Sequence, residues 1–508
     1  MSGSVSVGSN RSIQIALQDG PKVTPAGKKF YRLRDTGGSG LANAATVLES
    51  DEIRSDRGIA VSRKGQNAPD AEVNYELSWK SYDHLLQGAL GGQWQGGVYL
   101  DAVAEGLTIS TDTAGVFTLV NDRWSEYGIH AGDYILVEGD TDIPYLVALV
   151  GSIVYDEGEA EDKMTLVDFA GDPIVTVATS EDMSFTTGHY GASLTGITLT
   201  ETEGVITIAG TEGLWKNMEM RPGDSIQFNG FTTPANNQVW FKVADVETTA
   251  GVITVTTEAE GITTEATADV TVITNTGFLT VSTNLDYFTY VENFSDVTTG
   301  NDVDGNAITT NGASHWSVGN RVSSMNMSIQ VDSLITGSFM LMGMEYSGFK
   351  ATPLYTQNGN TVVSPNNEQV FDSFTGELSV PDAPAIQGVV TGINFDVDNN
   401  TDRKYVLMQR NAMAVGEGRS NISGTMEAFF SNPEVSNLFE NEVEFEVYIR
   451  MDDLNENSYA FIWPRCKLES DSRSVTENDV TSSFGIRMLY GNSEKIHTMA
   501  ILRQPAVG

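Results

Sequence analysis

The clearest strand signal in this chain is a strict alternation of apolar and polar positions. Between Val73 and Trp79 every second residue is apolar, so these side chains share one face of a predicted strand. Similar patterns predict further strands at 328–332, 335–343, 443–450 and 459–463. The pattern predicts a mainly β protein.

Two short helices are predicted, each directly after a strand. Ser81 is expected to cap the first helix and Gly91 to end it. Asn432 is expected to cap the second helix, with Pro433 at its first position. The core is therefore predicted to hold two short helices on a β scaffold.

The regions around these helices share a spacing. Ala60 and Tyr75 are as far apart as Ala414 and Phe429. We interpret this as an old duplication, which predicts a β-sandwich or barrel built from two related halves.

The middle of the chain contains a second, clearer repeat. Trp124 precedes Gly132-Asp133 by the same eight residues that separate Trp215 from Gly223-Asp224, and the two Gly-Asp pairs lie 91 residues apart (132 to 223). Such a period indicates tandem modules of about 90 residues. The two tryptophans are expected to fill small β cores, and the alternative is a carbohydrate platform on an adhesin.

These patterns predict four regions. Residues 1–96 form a first half with an N-terminal arm, and 276–508 hold the remainder of the core, including the second half. Residues 97–187 and 188–275 are two inserted all-β modules.

Charge separates the same regions. The chain of 508 residues has 29 Lys and Arg against 68 Asp and Glu, a net charge of −39. Residues 1–96 carry +1, 97–275 carry −24 and 276–508 carry −16. This excess argues against tight binding of nucleic acid, and 40% hydrophobic residues argue against disorder. No stretch of about 18 apolar residues predicts a membrane span.

Signatures of catalysis and of cofactors are absent from the sequence. Cys466 is the single cysteine, the histidines lack metal-ligand spacing, and no nucleophile-elbow or phosphate-loop motif occurs. We therefore expect neither an enzyme nor a cofactor. The residues closest to a metal motif resemble half of a calcium loop, with a polar turn as the alternative. They are Asp396, Asp398, Asn400 and Asp402.

Five segments together carry a resemblance to a known family: Leu48–Arg57, Glu72–Ser78, Tyr82–Gly92, Ile335–Phe339 and Ser423–Phe430. They resemble the major tail tube proteins of long-tailed, non-contractile bacteriophages (siphophages). The first three are similar to the start of that family's pattern, and the last two are similar to its later strands. The resemblance implies a structural subunit of the virion tail, made in the host cytoplasm. Such subunits stack as rings around a lumen through which the genome passes during ejection.

The resemblance also implies partners. These are further copies of the chain, other tail proteins such as the tape measure and the tail terminator, and genomic DNA that transits without specific binding. Because two related halves are predicted per chain, three chains would give a ring with pseudo-sixfold symmetry; a hexamer is the alternative.

Two sets of residues are candidates for roles in this assembly. Glu444 and Glu446 lie on one face of a predicted strand and are candidates for the lumen, although an outer solvated face is the alternative. A basic run in the first third is a candidate for contacts with acidic surface on a neighbouring subunit, with a solvated arm as the alternative. It consists of Lys22, Lys28, Lys29, Arg32 and Arg34.

Overall fold

The protein is described from a computed structural model. It covers residues 6–504 except 53–60, 93, 95–96, 103–106, 122–123, 125–128, 130–133, 139–145, 157–159, 168–172, 175, 177–182, 189–192, 203–204, 212–213, 218–224, 230, 234–235, 237–239, 248–250, 257–260, 275–276, 284, 366–367, 381–388, 432, 456, 477–478 and 491–497. The predicted mainly β fold is confirmed, because strands dominate these residues.

The strands before the insertion are β1 (Arg11–Gln18), β2 (Lys29–Arg32), β3 (Gly40–Asn43), β4 (Val47–Glu49), β5 (Ser62–Lys64) and β6 (Pro69–Glu76). The inserted segment contains β7 (Gly97–Asp101), β8 (Ile109–Thr111), β9 (Val116–Val120), β10 (Tyr134–Glu138), β11 (Leu146–Asp156), β12 (Glu161–Val167), β13 (Ser184–Gly188), β14 (Ser193–Thr202), β15 (Val205–Ala209), β16 (Ser225–Asn229), β17 (Trp240–Glu247), β18 (Val252–Thr256) and β19 (Glu265–Thr274).

The strands after the insertion are β20 (Gly277–Thr280), β21 (Tyr287–Phe294), β22 (Ala313–Gln330), β23 (Thr336–Met342), β24 (Glu345–Tyr346), β25 (Thr361–Val363), β26 (Gly376–Ser379), β27 (Val390–Asp398), β28 (Asp402–Lys404), β29 (Ala414–Gly416), β30 (Asn421–Phe429), β31 (Glu444–Asp452), β32 (Ser458–Val475), β33 (Val480–Met488) and β34 (Ala500–Gln504). The helices are α1 (Asp83–Leu90), α2 (Leu214–Asn217) and α3 (Glu434–Glu440), with 3-10 turns at Gly8–Asn10 and Leu354–Thr356.

Helix α1 follows β6 as predicted, but it begins one residue later than expected. Tyr82 rather than Ser81 is the N-cap, and the Ser81 hydroxyl instead accepts a hydrogen bond from Ser78 at 2.7 Å. Gly91 ends the helix with φ 68°, a left-handed conformation that glycine adopts without strain. In the second helix, Pro433 is the N-cap, and the predicted cap Asn432 lies outside the described residues.

One order of elements and pairings occurs twice in the largest sheet. The first set is β3–β6–β23–β22–β21–β1, with α1 following β6 in the chain. The second set is β27–β30–β33–β32–β31–β26, with α3 following β30. The long strands β22 and β32 occupy the same place and have 18 residues each. Strand β22 also pairs with β27, which joins the two sets into one continuous sheet.

The first set contains strands from both sides of the insertion. Strands β3 and β6 precede it, whereas β21, β22 and β23 follow it. The segments that flank the insertion lie close together, because the Ser282 N–H donates to the Leu90 carbonyl at 2.8 Å. A long segment can therefore be inserted here without separating the strands that pair around it.

The inserted segment forms two separate β structures. Strands β7–β13 make a seven-stranded sheet, and β14–β19 make a closed barrel. Trp124 is fully buried in the first and packs edge-on against Phe185; Trp215 is fully buried in the second and packs edge-on against Phe228. The two Gly-Asp pairs of the repeat lie outside the described residues.

The seven-stranded sheet packs against the outside of the second strand set. Leu136 and Leu149 form a buried apolar cluster with Tyr448, Ile462 and Leu502. This contact covers one face of β31, β32 and β34, opposite the main core. The insertion is thus attached by apolar packing as well as by its two chain ends.

Candidate functional site: a polar sheet face and exposed edges

One face of the largest sheet is polar across both strand sets. In β6, Ala71, Val73 and Tyr75 point into the core, while Glu72 and Asn74 point the other way. Residues directly opposite each other on paired strands point to the same side. One row across six strands consists of Asn74, Ser338, Asn326, Asp396, Ser423 and Arg487. The adjacent row consists of Glu76, Thr336, Ser328, Asn394, Thr425 and Gly485. We call this surface the polar face.

Hydrogen bonds fix several side chains of the polar face in place. The Asn326 amide donates to the Ser338 hydroxyl at 2.9 Å and accepts from the Ser338 N–H at 3.0 Å. The Gln330 amide donates to the Asn394 side chain at 3.2 Å. These contacts cross from β23 through β22 to β27, so they continue over the junction between the two strand sets.

The polar face carries more carboxylates than cations. Its acidic residues include Asp70, Glu72, Glu76, Asp396, Asp398 and Glu427. The Arg487 guanidinium is held by both Glu469 carboxylate oxygens, at 2.8 and 3.0 Å, which cancels its charge locally. Partial burial raises the pKa of the Asp396 carboxyl above its ordinary value. The surface therefore presents hydroxyl, amide and carboxylate groups with an anionic excess.

Glu444 and Glu446, the predicted lumen candidates, lie on the side of β31 that continues the polar face, because Lys467 lies opposite Arg487 of β33 and opposite Glu444 of β31. Arg465 binds Glu444 through two hydrogen bonds of 2.6 and 2.7 Å, which lower the pKa of the Glu444 carboxyl. The Glu446 carboxylate accepts a hydrogen bond from the Tyr448 hydroxyl. Farther along this side of β31, Tyr448 is covered by the inserted sheet. The lumen role of Glu444 and Glu446 stays a prediction.

The basic run lies along β2 and the segments beside it, where several of its side chains have partners within the chain. Lys28 pairs with Asp19 at 2.6 Å, and Lys22 lies 3.9 Å from Glu345. Arg34 donates to the Glu368 carbonyl at 2.5 Å. Arg32 and Lys22 are exposed. These local pairs leave the proposed contact with a neighbouring subunit as a prediction.

The segment that resembles half of a calcium loop is the turn between β27 and β28. The Asp398 carboxylate accepts the Asn400 N–H at 2.8 Å, and the Asn400 amide donates to the Arg419 carbonyl at 2.7 Å. Asp402 pairs with Lys404 at 2.5 Å. Each of these groups has a local partner, as in an ordinary polar turn. Within the described residues, no three acidic, His or Cys side chains cluster as metal ligands would.

Two β-hairpins extend from equivalent places in the two strand sets and carry exposed apolar side chains. The first hairpin is β4–β5, between β3 and β6, and it exposes Val47 and Leu48. The second is β28–β29, between β27 and β30, and it exposes Leu407, Met408 and Met413. Exposed apolar side chains that cluster on projecting hairpins are typical of contact surfaces between proteins.

The second hairpin contacts the base of the first within the chain. Arg403 donates to the Gly343 carbonyl at 2.8 Å and to the Pro69 carbonyl at 2.6 Å. The Tyr405 hydroxyl donates to the Asn67 carbonyl at 2.6 Å. The second hairpin thus helps to hold the two strand sets together.

The polar face was not among the features predicted from the sequence. The available signal was alternation: Ser324, Asn326 and Ser328 alternate with Met325 and Met327, which the structure buries. The two tryptophans offered as carbohydrate platforms are fully buried, so the adhesin alternative loses the observation that supported it.

The described residues thus form a β-sheet with a buried core, an open anionic polar face and exposed hairpins. The family model of the phage tail tube protein matches residues 8–459, and the chain belongs to that family. The protein is accordingly a component of the virion tail. No curated protein sequence matches the chain significantly. In the part of the chain that is described, no helix has the length and apolar character needed to cross a membrane.

Proposed function

We propose that this protein is the major tube subunit of a siphophage tail, and that its polar face lines the lumen through which DNA passes during ejection. The observation that carries the proposal is the continuity of the polar face across both strand sets. Strand β27 pairs with β22 on one side and β30 on the other, so the rows of polar side chains continue from one set to the next.

Repulsion is the proposed physical role of this surface. DNA phosphates would meet hydroxyl, amide and carboxylate groups. Few Lys or Arg side chains would be available there to bind the phosphates and displace their counterions. An anionic wall keeps the genome from adhering while it slides. This role requires no DNA-binding motif and agrees with the net charge of −39.

We further propose rings of three chains, stacked into a tube that contacts the tape measure and the tail terminator. Two strand sets with the same order of pairings would supply six similar positions from three chains. The hexameric ring, with six whole chains, is the alternative.

Electron microscopy of the purified protein tests the proposal directly. Tubes or rings with three chains per ring and the row from Asn74 to Arg487 on the inner wall are expected. Particles that stay monomeric under all assembly conditions would contradict the structural role. Tubes whose inner wall lacks the row from Asn74 to Arg487 would retain the role and overturn the assigned lumen face.

A further inference from the structure

The end of the long strand β32 is an open sheet edge. Ser470–Val475 pair with β33 on one side, and among the described strands none pairs with them on the other. One carboxylate oxygen of Asp471 is buried there without a hydrogen-bond partner. An open edge offers a row of backbone donors and acceptors to another strand.

The equivalent edge in the first strand set is occupied. Ser324–Gln330 of β22 pair with β23 on one side and with β27 on the other. Two further hydrogen bonds extend this junction: the Val331 N–H donates to the Thr391 carbonyl at 3.1 Å, and the Asn399 N–H to the Ser323 carbonyl at 2.9 Å. The junction between β22 and β27 is therefore a complete strand pair inside one chain.

We propose that the same junction is repeated between two copies of this chain, with the end of β32 pairing to β3 of the neighbouring copy. The inference rests on the proposed ring and names the edge that closes it. A second copy is the occupant because β3 holds in the first strand set the place that β27 holds in the second.

The pairings inside the chain specify the register between copies. Both long strands have a bulge at the same place, after Val322 in β22 and after Leu468 in β32. Asn326 therefore corresponds to Ser472. Ala42 corresponds to Asp396. Ala42 lies opposite Asp70, which lies opposite Met342, just as Asp396 lies opposite Ser423, which lies opposite Arg487. Since Asn326 lies opposite Asp396, Ser472 should lie opposite Ala42 of the next copy.

The backbone of β3 is suited to this pairing at Asn43. The Leu41 N–H points away from β6 and is held by the Glu292 carboxylate at 3.1 Å. The next residue whose backbone points outward is Asn43, which lies opposite Pro69, a residue with no N–H to donate. In the proposed register, Asn43 faces Asp471.

The junction within the chain and the proposed junction between copies differ in charge, and the difference suits a contact that forms only when copies assemble. Met325 and Met327 are buried at the junction within the chain, and the corresponding residues of β32 are Asp471 and Arg473. These two residues are paired within their own chain, because Arg473 donates to the Asp471 carboxylate at 2.9 Å and to the Ser436 hydroxyl at 2.5 Å. In the proposed register, Arg473 would lie opposite the neighbour's Leu41.

Disulfide trapping in assembled tubes tests the register. Opposite residues on paired strands have Cβ atoms about 4.5–5.5 Å apart, close to the range that a disulfide spans. The variant Ala42→Cys/Ser472→Cys should give covalent chains between copies on a non-reducing denaturing gel, ending at three chains for a closed trimer. Both positions are exposed in the single chain, and Cys466 is fully buried, so it adds little background.

Matched variants make the result specific. Each single substitution should give no linked chains, and Asn326→Cys/Asp396→Cys should give a disulfide within one chain only. A ladder that ends at six chains would support the register and overturn the trimer. Tubes that are visible by microscopy but not cross-linked in the Ala42→Cys/Ser472→Cys variant would overturn the inference while leaving the tube function intact.

Hydrogen exchange on the unmodified protein gives an answer that does not depend on any variant. A peptide covering 469–475 should exchange fast in the monomer and at least tenfold more slowly in tubes, whereas one covering 323–329 should be protected in both. Equal exchange of 469–475 in monomer and tubes would contradict the pairing.

Discussion

Asp83 at the start of α1 forms a buried ion pair with Arg503 of β34, although the two residues are 420 positions apart in the chain. The Tyr459 hydroxyl donates to the same carboxylate at 2.5 Å, and Trp94 stacks on the guanidinium at 4.2 Å. The helix of the first strand set is thereby attached to the last described strand of the protein.

Removing one partner of this pair should destabilise the monomer strongly. Arg503→Met leaves the Asp83 charge buried without its cation, a change that typically costs about 3–5 kcal/mol. Urea unfolding of the monomer, monitored by circular dichroism, measures the loss. The double variant Asp83→Leu/Arg503→Met should recover much of it, because no isolated charge remains. Equal losses in the single and double variants would show that packing, not charge, holds this contact.

Asp396 should make the stability of the monomer depend on pH. Burial raises the pKa of this carboxyl above its ordinary value of 3.8, so the folded state disfavours the ionised form. The resulting penalty is present at neutral pH and disappears as the pH falls through the folded pKa. Asp396→Asn should therefore raise the free energy of unfolding at pH 7 and leave it unchanged below 3.8. Ser423→Ala, opposite Asp396 in the same row, is the control. It keeps Asp396, so its difference in free energy of unfolding from the unmodified protein should be the same at pH 7 and below 3.8.

The sequence predicted the local elements better than the assembly surfaces. The alternation around Val73 places β6, and the residues up to Gly91 place α1 to within one residue, because both signals are local. The polar face could not be predicted, because it depends on which strands pair. Asn74 and Arg487 share a row only through the strands between them.

Glu444 and Glu446 also show that local alternation does not report long-range packing. Alternation in β31 correctly separates these residues from Phe445 and Val447, which are buried. It cannot say what covers the second face. The packing of Leu136 and Leu149 on Tyr448 joins segments more than 290 residues apart in the sequence, and no local pattern reports it.

The basic run is expected to contribute to contacts between subunits. Replacing Lys22, Lys28, Lys29, Arg32 and Arg34 together with Gln should slow tube assembly at low salt by about tenfold, because opposite charges steer association. Light scattering measures the rate. The effect should disappear at 1 M salt, where the Debye length falls to about 3 Å. A control variant with Lys163 and Lys404 replaced by Gln removes charge elsewhere, and an equal slowing there would remove the specific role of the run.

Deleting the insertion should preserve the tube but expose an apolar patch that promotes aggregation. A Gly/Ser linker from Gly96 to Thr276 is expected to need only a short span, because Leu90 and Ser282, each six residues from a joined position, are hydrogen-bonded to each other. The main core does not include the insertion, so the variant should fold with a cooperative melt and form tubes of unchanged bore and smaller outer diameter.

The same deletion would, however, uncover Tyr448, Ile462 and Leu502, at a cost of about 1.5–3 kcal/mol for each apolar side chain. Lateral aggregation of tubes is the expected result, and adding Tyr448→Lys and Leu502→Gln should suppress it. A variant that folds and stays soluble yet never forms rings, under conditions where the full chain does, would place the inserted modules in the subunit interface instead of on the exterior.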